Sequence, residues 1–193
     1  MKVISNILQA IHNIRSHGVA SSKSARSIGQ DDYDLGRRET RKLNWGEAMP
    51  FFSAAVQKEP DNPEFIRWLA VCKHFVGENK KSIELYDKVI AIEPYDYCHY
   101  SARSLSKECS EDYFGAIEDA TSAITLATLL EERDREHYCQ RGRAYFALGV
   151  IDRALQDFSE ALALDPTSSE LSEHVADLRA QLEEYELQNQ DEG

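Results

Sequence analysis

Apolar residues fall on one helical face in two stretches, one near each end of the chain. The first stretch is residues 1–17, where the apolar positions that share a face are Val3, Ile4, Ile7, Leu8, Ile11 and Ile14. The second lies near the C-terminus, where apolar residues alternate at spacings of four and three, namely Leu171, Val175, Leu178, Leu182 and Tyr185. Thr167 and Glu170 form a capping-box pair ahead of this seam. The pattern predicts an amphipathic helix at each end, the second over residues 169–188, followed by a disordered acidic tail over 189–193.

Prolines mark a second pattern between these ends. Pro60 and Pro94 stand 34 residues apart, and each closes a phrase of similar sequence, Gln57–Pro60 and Ala91–Pro94. Pro166 closes a third such phrase after two further periods and four extra residues. A period of about 34 residues is typical of stacked helix-turn-helix units, which bury their apolar faces against their neighbours. Because proline lacks a backbone N–H and disfavours helix at the residue before it, each phrase is expected to end a helix.

The copy of this repeat over Arg135–Ser168 is the strongest. Its small and aromatic residues stand at the diagnostic places of the tetratricopeptide-repeat signature, namely Tyr138, Gly142, Tyr145, Gly149, Ala154, Phe158, Ala161 and Pro166. The chain therefore resembles the tetratricopeptide-repeat (TPR) family. Small residues such as Gly142 and Ala154 let the two helices of a hairpin cross closely, and Phe158 fills the volume around the crossing. Arg141 stands where the family usually has leucine, and we expect it to loosen one contact between helices.

The resemblance predicts four copies of the repeat, at residues 29–62, 63–96, 97–130 and 135–168. The third copy has Thr128 in place of the proline, and Glu131–Asp134 separate it from the fourth. We expect this insertion to form either a longer helix or a polar loop. The implied fold is all-α, a right-handed TPR solenoid of helical hairpins with a C-terminal capping helix. At least nine helices and no sheet are expected over residues 29–188.

Composition narrows the classes of function. Hydrophobic residues make up 42% and charged residues 29% of the chain, which is ordinary for a folded globular protein. The formal net charge of -12 argues against nucleic-acid binding, since contacts to phosphates need a basic face. No apolar run is long enough to form a transmembrane segment. The four cysteines form no C-x-x-C pair, which favours reduced thiols in a cytoplasmic protein over a zinc site; they are Cys72, Cys98, Cys109 and Cys139.

Residues 1–28 leave three interpretations open. A helix over residues 1–17 can cap the apolar face of the first repeat, which the end of a solenoid needs. It can instead dock on a partner or on a second copy of the chain. A targeting segment is the third interpretation, because the stretch is rich in serine after Gly18 and contains no acid before Asp31. Organellar transit peptides and the start of delivered bacterial effectors share these features.

The chain carries no enzyme motif. It lacks a phosphate-binding loop, a nucleophile elbow, a His-Glu-x-x-His zinc motif and a glycine-rich dinucleotide turn. We therefore expect no catalytic residue, no cofactor and no metal. The resemblance implies instead a concave groove lined by the first helix of each repeat. The residues expected to bind a partner in that groove are Tyr33, Arg37, Arg41, Arg67, Val71, His74, Phe75, Leu105, Arg143 and Phe146.

Arginine is frequent at these groove positions for so acidic a chain. Its guanidinium suits carboxylates and aromatic faces suit apolar side chains, which predicts a bound peptide or helix with acidic residues and apolar anchors. The alternative is that these arginines only balance nearby acids of the chain itself. The same register also places Glu108, Glu136 and Cys139 at the groove.

Some members of the family bind the acidic C-terminal tail of heat-shock chaperones through a clamp of Lys, Asn and Arg side chains at fixed repeat positions. In the first three copies those positions hold Tyr33, Arg37, Trp68, Cys98 and Ala102, and a frame shifted by one copy matches no better. We therefore predict a non-enzymatic adaptor or scaffold for another protein segment. The alternative is a dedicated chaperone or immunity-type partner that masks one secreted or toxic protein. The two classes differ in stoichiometry and in how exclusive the partner is.

Overall fold

The computed structural model describes residues 27–190. Within that range the regular secondary structure consists of α-helices, without a β-strand. The nine helices of this part of the chain are α1 (Gln30–Arg41), α2 (Trp45–Lys58), α3 (Pro63–Phe75), α4 (Asn79–Ile92), α5 (Tyr97–Glu108), α6 (Tyr113–Leu129), α7 (Arg135–Ala147), α8 (Ile151–Leu164) and α9 (Ser169–Gln190). The predicted all-α fold is confirmed. The predicted helix over residues 1–17 and the serine-rich linker lie outside the described residues, as do residues 191–193.

The helices pair into four hairpins that stack in chain order. Each hairpin packs its first helix on the second helix of the hairpin before it, and α9 packs on α8. The first helices of neighbouring hairpins also contact each other, α3 with α5 and α5 with α7, more extensively than any two second helices do. The array therefore curves with its first helices on the inner, concave side.

Small buried residues occupy the crossing of the two helices in every hairpin. In the first helices they are Gly36, Ala70, Ser104 and Gly142, and in the second helices Ala48, Ser82, Ala116 and Ala154. Where serine takes this place, its hydroxyl donates to the backbone carbonyl across the crossing, Ser82 to Ala70 and Ser104 to Ala116, each at 2.9 Å. The serine hydroxyl is thus satisfied inside the core. This explains how the weak third copy keeps the same geometry.

Proline determines where the second helices end. Helices α2, α4 and α8 are each 14 residues long and stop two residues before Pro60, Pro94 and Pro166. With Thr128 in place of proline, α6 runs for 17 residues to Leu129. The whole insertion, Glu131–Asp134, forms a loop. The carboxylate of Asp134 accepts the backbone N–H of Glu136 at 2.9 Å and caps α7. The insertion itself is therefore a polar loop, and the longer helix lies before it.

Arg141 does not loosen its hairpin, and that expectation is wrong. Its guanidinium makes two hydrogen bonds to the buried carboxylate of Asp157 on α8, Nε to Oδ2 at 2.9 Å and Nη2 to Oδ1 at 2.7 Å. The third hairpin has the same arrangement, in which Arg103 on α5 binds the buried Asp119 on α6 at 2.8 and 2.7 Å. Arginine replaces leucine here because an aspartate sixteen residues later accepts both of its N–H groups.

Helix α9 covers the end of the array. Three of its leucine and valine side chains are buried in one cluster with residues of α7 and α8; they are Leu171, Val175 and Leu178. The predicted capping box is wrong by one residue, because Ser168 accepts the backbone N–H of Leu171 at 3.3 Å while Thr167 bonds to Asp165. None of the helices in residues 27–190 is both long and apolar enough to cross a bilayer.

Candidate protein-binding groove

The concave face is built from side-chain contacts between successive first helices. Tyr33 on α1 donates its hydroxyl to Glu64 on α3 at 2.6 Å. His74 on α3 lies 3.1 Å, Nδ1 to Oγ, from Ser106 on α5. Two further bonds join α5 to α7, from Ser101 to Gln140 at 3.0 Å and from Arg143 to Glu108 at 3.1 Å. These contacts form a continuous polar surface across all four hairpins.

The N-terminal half of this face centres on Trp68. The guanidinium of Arg37 lies 3.7 Å from the centroid of the Trp68 ring, and that of Arg67 lies 5.3 Å from it. Both distances fall within the range of cation–π attraction. Arg41 is exposed one turn further along α1. Within residues 27–190 no carboxylate forms a salt bridge with Arg37 or Arg41, and Glu64 is 3.7 Å from Arg67.

Tyr33 forms the edge of this arginine-rich half. Its ring stacks on Phe65 with 5.2 Å between the centroids, and it meets Phe52 edge-on at 5.9 Å. Burial, and next the hydrogen bond to Glu64, raises the pKa of Tyr33 to about 12. The phenol therefore stays protonated and neutral at physiological pH, and its hydroxyl is committed to Glu64.

The C-terminal half of the face is electrostatically different. Arg143 pairs with Glu108 at 3.1 Å and with Glu136 at 3.4 Å. Burial opposes the charged form of Arg143, but the two carboxylates outweigh it and raise its pKa. The charge of Arg143 is thus balanced within the chain, in agreement with the alternative interpretation of the groove arginines. Phe146, one turn further along α7, is exposed.

The remaining predicted groove residues have less uniform surroundings. Val71 and Leu105 are half-buried on α3 and α5. Burial lowers the pKa of His74, which favours its neutral form. Phe75 stacks one face on Trp45 of α2, with 4.1 Å between centroids, and leaves the other exposed. Cys139 does not reach the groove, because it is buried in the cluster that α9 closes.

Trp68 is the groove residue that the groove prediction missed. It stands at repeat position 6, which the comparison with the chaperone-tail clamp includes but the list of predicted groove residues leaves out. A usable signal exists in the sequence, since adjacent first helices lie one repeat apart. A side chain at position 9 of one copy, here Arg37, then lies near position 6 of the next copy, here Trp68.

A second cluster lies where the loop after α4 meets the start of α5. Among the described residues, this cluster is the one whose ligand-type atoms can hold a metal ion: Glu93, Asp96 and His99 offer one atom each within 4.8 Å of one another. His99 is buried, and its Nε2 lies 2.8 Å from Glu93 and 3.6 Å from Asp96. Asp96 also caps α5 by accepting the backbone N–H of Cys98 at 2.9 Å. These bonds tie the loop to the helix and account for the cluster as a structural one.

The buried thiols are poor nucleophiles. Burial is the main cause that raises the pKa of Cys72 and Cys139 to about 11. A cysteine reacts as its thiolate, so these two side chains are almost wholly protonated near neutral pH. None of the described cysteines forms a disulfide.

Comparisons with known proteins agree with this architecture. Residues 136–168 match the family profile described as Tetratricopeptide repeat. Tetratricopeptide repeat protein 28 of Mus musculus is 31% identical over 132 residues, which are 64% of this chain. The chain spans about 5% of the length of that relative.

Solved structures show the same fold at low sequence identity. The structure of MamA 41-end from Desulfovibrio magneticus RS-1 superposes with a TM-score of 0.75 at 16% identity, covering 84% of this chain and 90% of that one. The first TPR of Spaghetti (RPAP3), solved with a bound HSP90 peptide, superposes with a TM-score of 0.57 at 21% identity, covering 62% of this chain and 92% of that one. Stacked helical hairpins with small residues at each crossing, together with these matches, show a tetratricopeptide-repeat fold, and residues 136–168 match the family profile itself.

Proposed function

We propose that this protein is a non-enzymatic adaptor that holds a segment of a partner protein on its concave face. The fold supports this function because stacked hairpins offer an extended inner surface. The first TPR of Spaghetti (RPAP3) holds an HSP90 peptide on the same fold. The protonated thiols described above fit a binding role better than nucleophilic catalysis.

The observation that carries the proposal is the group of arginines around Trp68. Stacking engages the plane of the Arg37 guanidinium, while its N–H donors lie at the edge of that plane and remain able to bind a carboxylate. Arg41 and Arg67 extend this cationic surface along α1 and α3. Because Arg143 is already neutralised by two glutamates, the acidic part of a partner segment fits the N-terminal half of the groove.

The C-terminal half suits apolar anchors of the same segment. Phe146 is exposed there, and Leu105 and Val71 are half-buried along the path that leads to it. Aromatic and aliphatic side chains in a groove bury apolar groups of a ligand. The proposed ligand is thus a peptide or helix with carboxylates at one end and apolar residues at the other.

The tail of a heat-shock chaperone is not the ligand we propose. The RPAP3 domain carries an HSP90 peptide, but at 21% identity it shares only its fold with this chain. The lysine and asparagine that hold such a tail in the family are replaced here by Tyr33 and Arg37. Tyr33 is moreover occupied by Glu64. We place the activity in the cytoplasm, where unpaired cysteines persist.

A random peptide library displayed on phage and selected on the full-length chain tests the proposal. We expect selected peptides to combine Asp or Glu with aromatic or aliphatic residues. Their affinity, measured by calorimetry, should fall about tenfold or more in Arg41→Glu and Arg37→Glu, because like charges in a groove repel and a carboxylate partner is lost. Higher salt should weaken binding without abolishing it, since only the charge contacts are screened.

Lys88→Glu on the exposed outer face of α4 is the matched control, because it makes the same charge reversal away from the groove. Equal affinities for the groove variants and this control would move the binding site off the concave face. Selection of basic peptides would overturn the assigned ligand chemistry. A partner that binds with fixed stoichiometry and excludes all others would favour a dedicated chaperone or immunity-type protein over an adaptor.

A further inference from the structure

The internal junctions of the array share one contact. At each of them, repeat position 7 of a first helix is covered by the second helix of the hairpin before it. Leu69 is buried in a cluster with residues of α2. Arg103 on α5 reaches Asp87 on α4 at 2.5 Å, and Arg141 on α7 reaches Thr121 on α6 at 3.2 Å. The residue at position 7 therefore contacts a preceding second helix in each of the three hairpins that follow another hairpin.

At the first hairpin the same position lacks that cover within residues 27–190. Its residue is Leu35, and 39% of its surface is exposed. Ile28, in the turn just before α1, is 77% exposed. Phe51, at the α2 position that pairs with position 7, is half-buried. An apolar edge of this kind at the end of a solenoid needs either a cap or a partner.

The sequence supplies one segment that matches the missing cover. The second helices α2, α4 and α8 are 14 residues long, and residues 1–17 contain an apolar stripe of 12 residues, from Val3 to Ile14. The end of the segment also suits the start of α1 in charge. Arg15 lies near the end of the segment, and the first turn of α1 carries Asp31 and Asp32.

The path of the chain into α1 also fits. Gly29 donates its backbone N–H to Glu59 at 2.9 Å, and the Ser27 hydroxyl binds the same carboxylate. These bonds hold the chain beside the loop that joins α2 to α3, which is the side where every second helix of the array ends. A helix that ends near Gly18 can therefore run antiparallel to α1, with residues 19–28 as a connection longer than the one between α2 and α3.

We propose that residues 1–17 form a helix that packs on the Leu35 edge of α1 in the same chain, in the place of a preceding second helix. The intramolecular occupant is favoured because a short connection gives the segment a local concentration of the order of millimolar. A second copy or a separate partner would also have to offset the lost freedom of association. The array then begins, as well as ends, with a single helix that covers an apolar edge.

The test uses the full-length chain and two matched pairs of substitutions. Ile7→Asp with Ile11→Asp places two charges on the apolar stripe, and Gln9→Asp with Asn13→Asp places the same two charges on the opposite side of the predicted helix. We expect the first pair to raise hydrogen exchange of the α1 amides on the order of tenfold and to lower the melting temperature. The second pair should change neither quantity. Circular dichroism should show that both variants keep the folded array.

A third variant locates the contact. Leu35→Asp should be non-additive with the Ile7→Asp and Ile11→Asp pair, because each change removes the same interaction. Additive effects would mean that the segment packs elsewhere and would overturn the proposal, as would equal exchange in the two pairs. Protection of α1 that disappears on dilution, with a dimer in sedimentation velocity, would assign the edge to a second copy and would also overturn it.

Discussion

The pair of Arg141 and Asp157 shows how a single position can change its chemistry without changing the fold. In the second hairpin the same two places hold Leu69 and Leu85, which pack together in an apolar cluster. In the fourth hairpin they hold a charged pair with two hydrogen bonds, and Asp157 is buried. Burying two charges costs desolvation energy, and the pair offsets that cost only when both partners are present.

Replacing one member of this pair should cost far more than replacing both. Arg141→Leu leaves the Asp157 carboxylate buried without a partner, and we expect it to lose about 3 kcal/mol of unfolding free energy. Arg141→Leu with Asp157→Leu should recover most of that loss, because the second hairpin already packs leucine at both places. Urea denaturation of the two variants measures the difference. A double variant as unstable as the single one would contradict this account.

Glycine at the helix crossing is required to different degrees in the first and last hairpins. A Cβ atom on Gly36 would lie 2.8 Å from the Phe52 ring, whereas on Gly142 it would lie 3.3 Å from its nearest neighbours. We expect Gly36→Ala to cost about 1–3 kcal/mol through overpacking. Gly142→Ala should stay near neutral, because alanine also favours the helix by up to about 1 kcal/mol. Thermal melts compare the two, and a Gly36→Ala variant that is at least as stable as the wild type would refute the assigned crossing.

His137 makes the stability of the protein depend on pH. It is buried against the edge of the Tyr97 ring, and in the described part of the chain neither of its ring nitrogens has a hydrogen-bond partner. Burial lowers the pKa of His137, although Asp134 and Glu136 act in the opposite direction. The fold therefore favours the neutral ring, and the stability that this preference adds is present above the ordinary histidine pKa and is lost as the pH falls.

We expect the free energy of unfolding to decrease as the pH falls from about 7 to about 5, and His137→Phe to reduce that decrease. His74, whose pKa is also lowered by burial, should retain part of the slope. Urea titrations at several pH values give the comparison. A steeper slope in His137→Phe would contradict the prediction.

At the scale of the elements, helix α9 stabilises the last hairpin through three buried side chains. Leu178 is 3% exposed, whereas Leu187 on the same helix is 64% exposed. We expect Leu178→Ala to cost about 2–5 kcal/mol, because it leaves a cavity between α9 and α8. Leu187→Ala should change the stability by less than about 0.5 kcal/mol. Equal melting temperatures for the two variants would show that α9 does not cap the array.

The element boundaries were predictable where their causes are local. Pro60, Pro94 and Pro166 act on their own backbone, so the ends of three second helices follow from the sequence alone. The conformation of the insertion at Glu131–Asp134 was harder to predict, because its polar side chains can be solvated equally well on a helix or in a loop. The capping residue of α9 was misassigned to Thr167 since Thr167 and Ser168 are chemically similar, and only the position of the first turn selects between them.

At the scale of the whole molecule, curvature brings the four first helices together and divides their surface into two halves. The arginines of the N-terminal half stack on Trp68, and the arginine of the C-terminal half is neutralised by Glu108 and Glu136. This division is what gives the proposed ligand a direction, with its carboxylates toward α1. It arises from side chains that are one repeat apart in the sequence and adjacent only in the stacked array.

The sequence by itself determined the repeat fold, the helical hairpins and their number, because the repeat period, the prolines and the small residues each act through local backbone or packing rules. It also determined which positions of each copy belong to the first helices. Only the tertiary structure decided which charges are free to bind. Arg37, Arg141 and Arg143 are the same residue type, yet one stacks on an aromatic ring, one joins two helices and one is balanced by two acids. Those outcomes depend on Trp68, Asp157 and Glu108, which are 16 to 35 residues away and whose distance and direction are fixed only when the hairpins stack.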